Sequence, residues 1–343
     1  MRSERLENTN EKLKSMADIA EHLGVTKVSV SLALRNSPLV SQELRERVQQ
    51  VARSVGFKPR RYRRRQPEKL KTPPEEGRIA VLFEPDRSTD PVAQEILNHV
   101  MRRLNELQIS FELISCRSLY DSPQVLDGFS GVIFHFSLRP AFLDSFRSLP
   151  QVAIMHEEID FGPWDGFKPN ERFAGKLAAE YLLAQGFRKT LIIWEKEWTY
   201  QPEFHPRLEG FRTQIRMAGG EVFEIGYDHR EKLQSFYSGL LELLNANDGK
   251  LGIFAFCDQI AFRVCTMLDV HGLERKKGRL EVISCDNTPL IRSLQPPLPV
   301  VDLHIPEIAA SAVDGLLWRV NHPDALARDT HFRPSLIVPE TGV

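Results

Sequence analysis

The 343-residue chain has no run approaching about eighteen apolar residues without a charge, and Met1 leads into a charged polar segment with no apolar core. Neither a membrane span nor a secretory leader is expected, which places the protein in the cytoplasm. Cysteine is scarce. Cys116, Cys257, Cys265 and Cys285 show no paired ligand spacing and lie in or beside apolar runs, so buried reduced thiols are expected, with no metal site. The signatures of common α/β enzymes are missing as well. No glycine-rich phosphate loop follows the apolar run at 79–83, no G-x-S-x-G elbow occurs, and the histidines lack metal spacing. No cofactor and no catalytic residues are expected, and an enzyme acting on a sugar is the weaker alternative.

What the chain does have is an uneven distribution of charge. The totals nearly cancel, 45 Lys+Arg against 46 Asp+Glu, yet residues 1–77 hold 17 basic against 10 acidic residues and the remainder 28 against 36. A basic N-terminal module suited to phosphates is therefore attached to a larger acidic body that need not touch them. The length suits two or three domains.

Residues 15–57, SMADIAEHLGVTKVSVSLALRNSPLVSQELRERVQQVARSVGF, carry the spacing of a helix-turn-helix. Ala20 allows two helices to approach closely, Gly24 supplies the positive φ of the turn, and Val30 returns to pack between them. Ser15 with Asp18 forms a capping box, and Thr26 can cap the second helix, whose outer face then presents Lys27, Val28, Ser31 and Leu32. Ser41 reads as the cap of a third helix with Leu44, Val48, Val51 and Val55 at helical spacing. A double-stranded DNA partner follows, with the second helix in the major groove. Between residues 58 and 77, six of the eight residues from Lys58 to Arg65 are basic and prolines follow, which reads as a basic hinge or linker. Arg60, Arg61, Arg63 and Arg64 are candidates for phosphate or minor-groove contact, or else belong to a solvated tether.

From Arg78 onward, short apolar runs such as RIAVLF, GVIFHFS, TLIIWE, LGIFAF and LEVISC alternate with amphipathic stretches of ten or more residues. That pattern predicts parallel strands with helical crossovers, arranged as two sheets in tandem. The division expected is 1–57 for the DNA-binding head, 58–77 for the linker and 78–343 for a two-lobed α/β body.

A helix-turn-helix head, an arginine-rich link and a two-lobed body together resemble the lactose/galactose repressor family of bacterial transcription regulators, over nearly the whole chain. The strongest segment is DIAEHLGVTKVSVSLALRNSPLVSQELRERVQQVARSVGFKP, and GFRKTLIIW, RLEGFR, FAFCDQIAF and EVISCDN stand where the family places comparable segments. The resemblance implies a periplasmic-binding-protein-like body and a homodimer on a near-palindromic operator. By position, Lys27, Val28 and Leu32 would meet base edges, with Thr26, Ser31 and Ser41 nearer phosphates. Two departures stand out. Leu32 occupies a place where the family usually has arginine, and Gln66-Pro67 replaces the apolar wedge of the family's hinge helix.

The same resemblance implies a small effector, a sugar or glycoside, at the carboxyl ends of the strands between the lobes. Arg207, Asp258 and Asp286 match effector-contacting positions there, and two carboxylates with one guanidinium suit a polyol. Asp90 stands either beside the ligand or as the cap of a helix starting at Pro91. His156 ends an apolar run, and Trp164, in the aromatic loop DFGPWDGF, is placed either to stack on a sugar face or to pack at a seam. A constitutive regulator, or one controlled by a protein partner, is the competing function.

Overall fold

The computed structural model describes residues 15–34, 42–55, 77–85, 89–135, 149–156, 164–195, 204–227, 233–247, 250–273, 275 and 279–339. The chain divides into two compact units, Met1–Leu70 and Lys71–Val343.

In the first unit the local sequence signals produce the expected helices: α1 (Met16–Leu23), α2 (Lys27–Leu34) and α3 (Gln42–Ser54). Ser15 accepts the Asp18 amide while Asp18 accepts the Ser15 amide, closing the capping box. Gly24 ends α1 at φ 66°, and space is open around it, so conformation alone requires glycine there. Thr26 Oγ1 accepts the Ser29 amide at 3.1 Å, capping α2. Ile19, Ala20, Val30, Ala33, Val48 and Ala52 form the core of the three helices.

The second unit holds two six-stranded sheets. In the first lobe, β1 (Arg78–Phe83), β2 (Phe111–Ser115), β3 (Phe129–His135), β4 (Gln151–Ile154), β5 (Asp165–Pro169) and β11 (Asp329–Phe332) run in the order β2-β1-β3-β4-β5-β11. In the second, β6 (Lys189–Glu195), β7 (Glu221–Tyr227), β8 (Leu251–Ala255), β9 (Leu280–Asp286), β10 (Val300–Asp302) and β12 (Ser335–Ile337) run in the order β7-β6-β8-β9-β10-β12. The pairings are parallel apart from β10 with β12. The interleaved helices are α4 (Pro91–Glu106), α5 (Cys116–Asp121), α6 (Glu171–Ala184), α7 (Pro206–Met217), α8 (Leu233–Ala246), α9 (Asp258–Val270), α10 (Pro289–Arg292) and α11 (Ile305–Asn321).

The tandem reading needs one correction. After β10 the chain returns to the first lobe, where α11 packs on α4, β4 and β5 and is followed by β11, and it then crosses again to β12. Three crossings, at Asn170, at 303–304 and at 333–334, therefore join the lobes. The segment DFGPWDGF is the second correction, because its end forms the buried strand β5. Asp165 in that strand is fully buried, which the Arg319 guanidinium of α11 makes possible through Nε at 3.3 Å and Nη2 at 2.5 Å. The four cysteines are free and buried. Among the described residues no helix is long and apolar enough to cross a membrane, and no three His, Cys, Asp or Glu side chains are grouped to hold a metal ion.

Candidate functional site

Of the residues expected to read DNA, Thr26 is exposed at the start of α2, with its oxygen engaged in the cap. Lys27, Val28, Ser31 and Leu32 lie on α2 by their backbone, while their side-chain contacts fall outside the described residues. Ser41, Arg60, Arg61, Arg63, Arg64, Gln66 and Pro67 fall outside them altogether.

In the body, the cleft-side chemistry begins with how closely two helices approach. A Cβ added to Gly175 of α6 would lie 1.7 Å from the Arg207 carbonyl oxygen, and one on Gly210 of α7 would lie 2.1 Å from that of Arg172. Only glycine at both places lets α6 and α7 pack backbone to backbone. That contact sets Glu171, the first residue of α6, beside Arg207 near the start of α7.

Arg207 is the hub of the resulting cluster. Its Nε donates to Glu171 Oε2 at 2.6 Å and Nη2 to Oε1 at 3.0 Å, while Nη1 donates to the Phe256 carbonyl at 2.6 Å and to Asp286 Oδ1 at 3.2 Å. The guanidinium also lies 4.6 Å over the Phe256 ring. Asp286 ends β9 at φ 117°, and Asn287 follows at φ 65°. Both conformations disfavour L side chains, and strain of this kind concentrates where a site is held in a fixed geometry. His304, after β10, is left-handed too, at φ 60°.

Electrostatics follow from the crowding of acids. Burial lifts the Asp286 carboxyl well above its ordinary value despite the pull of Arg207, and the nearby Asp258 adds to the rise. Asp258 is pushed up to about 6, because burial outweighs its hydrogen bonds from Ser284 and Thr288. Glu171 is held below its usual range, since Arg207 more than offsets the cost of its burial. His205 accepts the Arg207 amide through Nδ1 at 3.2 Å, and burial foremost lowers it to about 4, so it stands neutral as a helix cap.

The structure thus brings Arg207, Asp258 and Asp286 together, as expected, but gives them different parts. Asp258 is turned inward: Oδ1 accepts Ser284 Oγ at 2.5 Å, and Oδ2 accepts the Thr288 amide at 2.6 Å and its hydroxyl at 2.8 Å. It secures the turn after β9. A raised folded-state value means that stability from this group is present below about pH 4 and is lost as pH rises to about 6. Asp258→Asn removes that term, so its stability deficit against the parent protein is expected to narrow by roughly 2 kcal/mol between pH 4 and pH 6. Urea unfolding of both proteins across that range checks this, and parallel pH profiles would count against it.

The other three expected residues make contacts of other kinds. Asp90 caps α4, accepting the Val92 amide at 2.9 Å and the Ala93 amide at 3.4 Å, which is the second of the two roles its position allowed. Trp164 is 5% exposed in the first lobe's core, edge-on to Phe134 at 5.6 Å, and offers no open face for stacking on a sugar. His156 is buried, with Nε2 at 3.2 Å from Asp329 Oδ1. Its ring reaches over Gly166, where a Cβ would stand 2.2 Å from that nitrogen.

Asp286 and Asn287 also line a pocket between the lobes, with Asp302 and Arg292 on the second-lobe side and Glu95 and Glu307 on the first. Arg292 crosses to Glu95 at 2.9 Å, and Asn287 Nδ2 donates to Asp302 at 2.9 Å. The strand-end rule that picks Asp286 after LEVISC applies equally to Asp302 after PVV. Glu171 carries no such signal, since its partner lies 36 residues away.

Residues 15–60 match the model of bacterial regulatory proteins of the lacI family, and residues 179–341 that of the periplasmic binding protein-like domain. The chain is 26% identical to the HTH-type transcriptional regulator DegA of Bacillus subtilis, over 85% of this chain and 87% of the relative. It is 24% identical to the ribose operon repressor of Haemophilus influenzae, over 96% and 98%. Among solved structures, the transcriptional regulator CelR–cellobiose complex shares the fold with a TM-score of 0.62 at 20% identity, over 96% of this chain and 99% of that one. A lacI-family head at residues 15–60 followed by a periplasmic-binding-protein-like body gives this chain the organisation of lacI-type bacterial regulatory proteins.

Proposed function

We propose that the protein is a cytoplasmic homodimeric repressor that holds operator DNA with its head (1–57), joined through the basic link (58–77) to a body (78–343) that senses a sugar-like effector. One observation carries the reading: a capped helix-turn-helix shares its chain with a cleft where the acceptor oxygens of Asp286 and Glu171 and the Arg207 guanidinium converge at strand carboxyl ends. Such acceptors suit the hydroxyl groups of a polyol. The ribose operon repressor among the relatives and the cellobiose complex among the similar folds support the same class of ligand. The three lobe crossings give the cleft a means to act, because closure on a ligand shifts one lobe against the other. No catalytic step is assigned to the cleft.

The test is selection of bound DNA by the full-length protein from a random pool, followed by affinity measurements with and without each sugar of a panel. One sugar is expected to change operator affinity by about 5- to 150-fold, the usual span of such couplings. Asp286→Ala is expected to erase that change while the protein still binds the selected DNA. Selection of no consensus, or an affinity that no sugar moves, would overturn the respective half of the reading.

A further inference from the structure

Arg207 has five N–H groups to give, and the protein itself takes four of them, two on Glu171 and one each on Phe256 and Asp286. The fork that would otherwise grip a ligand's phosphate or carboxylate is filled from within by a bidentate carboxylate. Exposure points the same way: the Arg207 and Asp286 side chains are each 4% exposed, whereas that of Glu171 is 17% exposed. A ligand approaching this cluster meets carboxylate oxygen before guanidinium. Two of the basic side chains nearby have acidic partners of their own. Arg292 is paired with Glu95, Lys168 is turned to Asp329 at 3.9 Å, and Asp302 and Glu307 stand on the pocket wall.

We infer that Glu171 is a specificity-determining residue which, by occupying the Arg207 fork, makes the cleft accept neutral or amino-bearing hydroxyl compounds and reject phosphorylated or carboxylated ones. This rests on the reading of the cleft as the effector site. An incoming anion would find its natural partner already neutralised by Glu171, with Asp302 and Glu307 on the wall of the adjoining pocket, and juxtaposed like charges discriminate strongly. Hydroxyl groups, in contrast, donate to Glu171 and Asp286 without displacing the guanidinium. Glu171 also orients Arg207, so its replacement by glutamine, which keeps the shape and one acceptor oxygen, isolates the effect of charge.

The experiment is calorimetry on the full chain, as the parent protein, Glu171→Gln and Glu171→Ala, with D-ribose, ribose 5-phosphate and inorganic phosphate as titrants. Circular dichroism confirms that each variant is folded. For the parent protein, neither phosphate compound is expected to bind within 100-fold of the affinity of any neutral sugar in the panel. Glu171→Gln is expected to gain at least tenfold in affinity for inorganic phosphate and ribose 5-phosphate, and adding Arg207→Gln is expected to erase the gain. Phosphate binding by the parent protein, or no gain in either Glu171 variant, would overturn the inference. Inorganic phosphate probes the fork whether or not a sugar binds, so a parent protein that binds no sugar at all contradicts the effector reading and leaves the charge test standing.

Discussion

Replacing Val30 with aspartate is expected to abolish operator binding, lowering affinity at least 100-fold, while the body stays folded. Val30 is 0% exposed and sits among Ile19, Ala20, Ala33, Val48 and Ala52, the small core that holds all three helices together. The described residues of this core are all apolar and offer a carboxylate no partner, and burying it costs several kcal/mol. A module this small holds only about 3–5 kcal/mol in reserve, so the penalty is of the same size as the whole stability of the head. The body forms a separate compact unit with cores of its own, so its unfolding transition is expected to remain in place. Fluorescence anisotropy on DNA selected with the parent protein measures the first effect, and calorimetric unfolding the second. An exposed change in the same helical unit, Glu46→Ala, serves as the neutral control. Retained binding by Val30→Asp would show that α2 is held by something other than this core.

How far the sequence discloses the molecule depends on the range of the interactions involved. The head is legible because each of its signals acts over three or four residues: Ser15 with Asp18, Gly24 on Ala20, Thr26 on Ser29. Apolar runs and amphipathic stretches likewise disclose β6 to β9 and α6 to α9. Strand β5 is hidden because its residues Asp165 and Lys168 are polar yet buried, and the neutralising Arg319 lies 154 residues further along the chain. The return of α11 to the first lobe is hidden for the same reason, since no local pattern states which sheet a helix covers. Trp164 shows how composition misleads. A tryptophan in a glycine- and proline-rich segment resembles a ligand platform until the neighbouring strands close over it. At the cleft, position is legible and orientation is not. The strand-end rule finds Asp258 and Asp286 alike, but Ser284 and Thr288 draw one inward and Arg207 draws the other into the hub.

Arg207→Met is expected to destabilise the body by about 3–5 kcal/mol and to remove its response to effector. Methionine nearly fills the space of the arginine stem, so the cost arises chiefly from what is left behind. Glu171 loses both of its bonds, Asp286 loses its counter-charge, and the Phe256 carbonyl loses its donor, all within a largely buried region. The Arg172–Glu209 pair makes the useful comparison, because it is as short, 2.5 Å, but its side chains are 57% and 45% exposed. Water and salt screen that pair, and Arg172→Met is expected to cost under about 1 kcal/mol. The ratio between the two variants therefore tests whether burial or distance governs the strength of an ion pair here. The pH dependence supplies a further check. Without Arg207, Glu171 loses the cation that holds it below its usual range and Asp286, already raised by burial, rises further, so both carboxyls are relieved by taking up protons and their folded-state values lie above those of the unfolded chain. Stability from such groups is lost as pH rises, and the deficit of Arg207→Met is accordingly expected to shrink as pH falls from 7 toward 5. Urea unfolding of the three proteins at both values measures this. A deficit that stays constant with pH would mean that lost packing, and not unpaired charge, is what the arginine prevents.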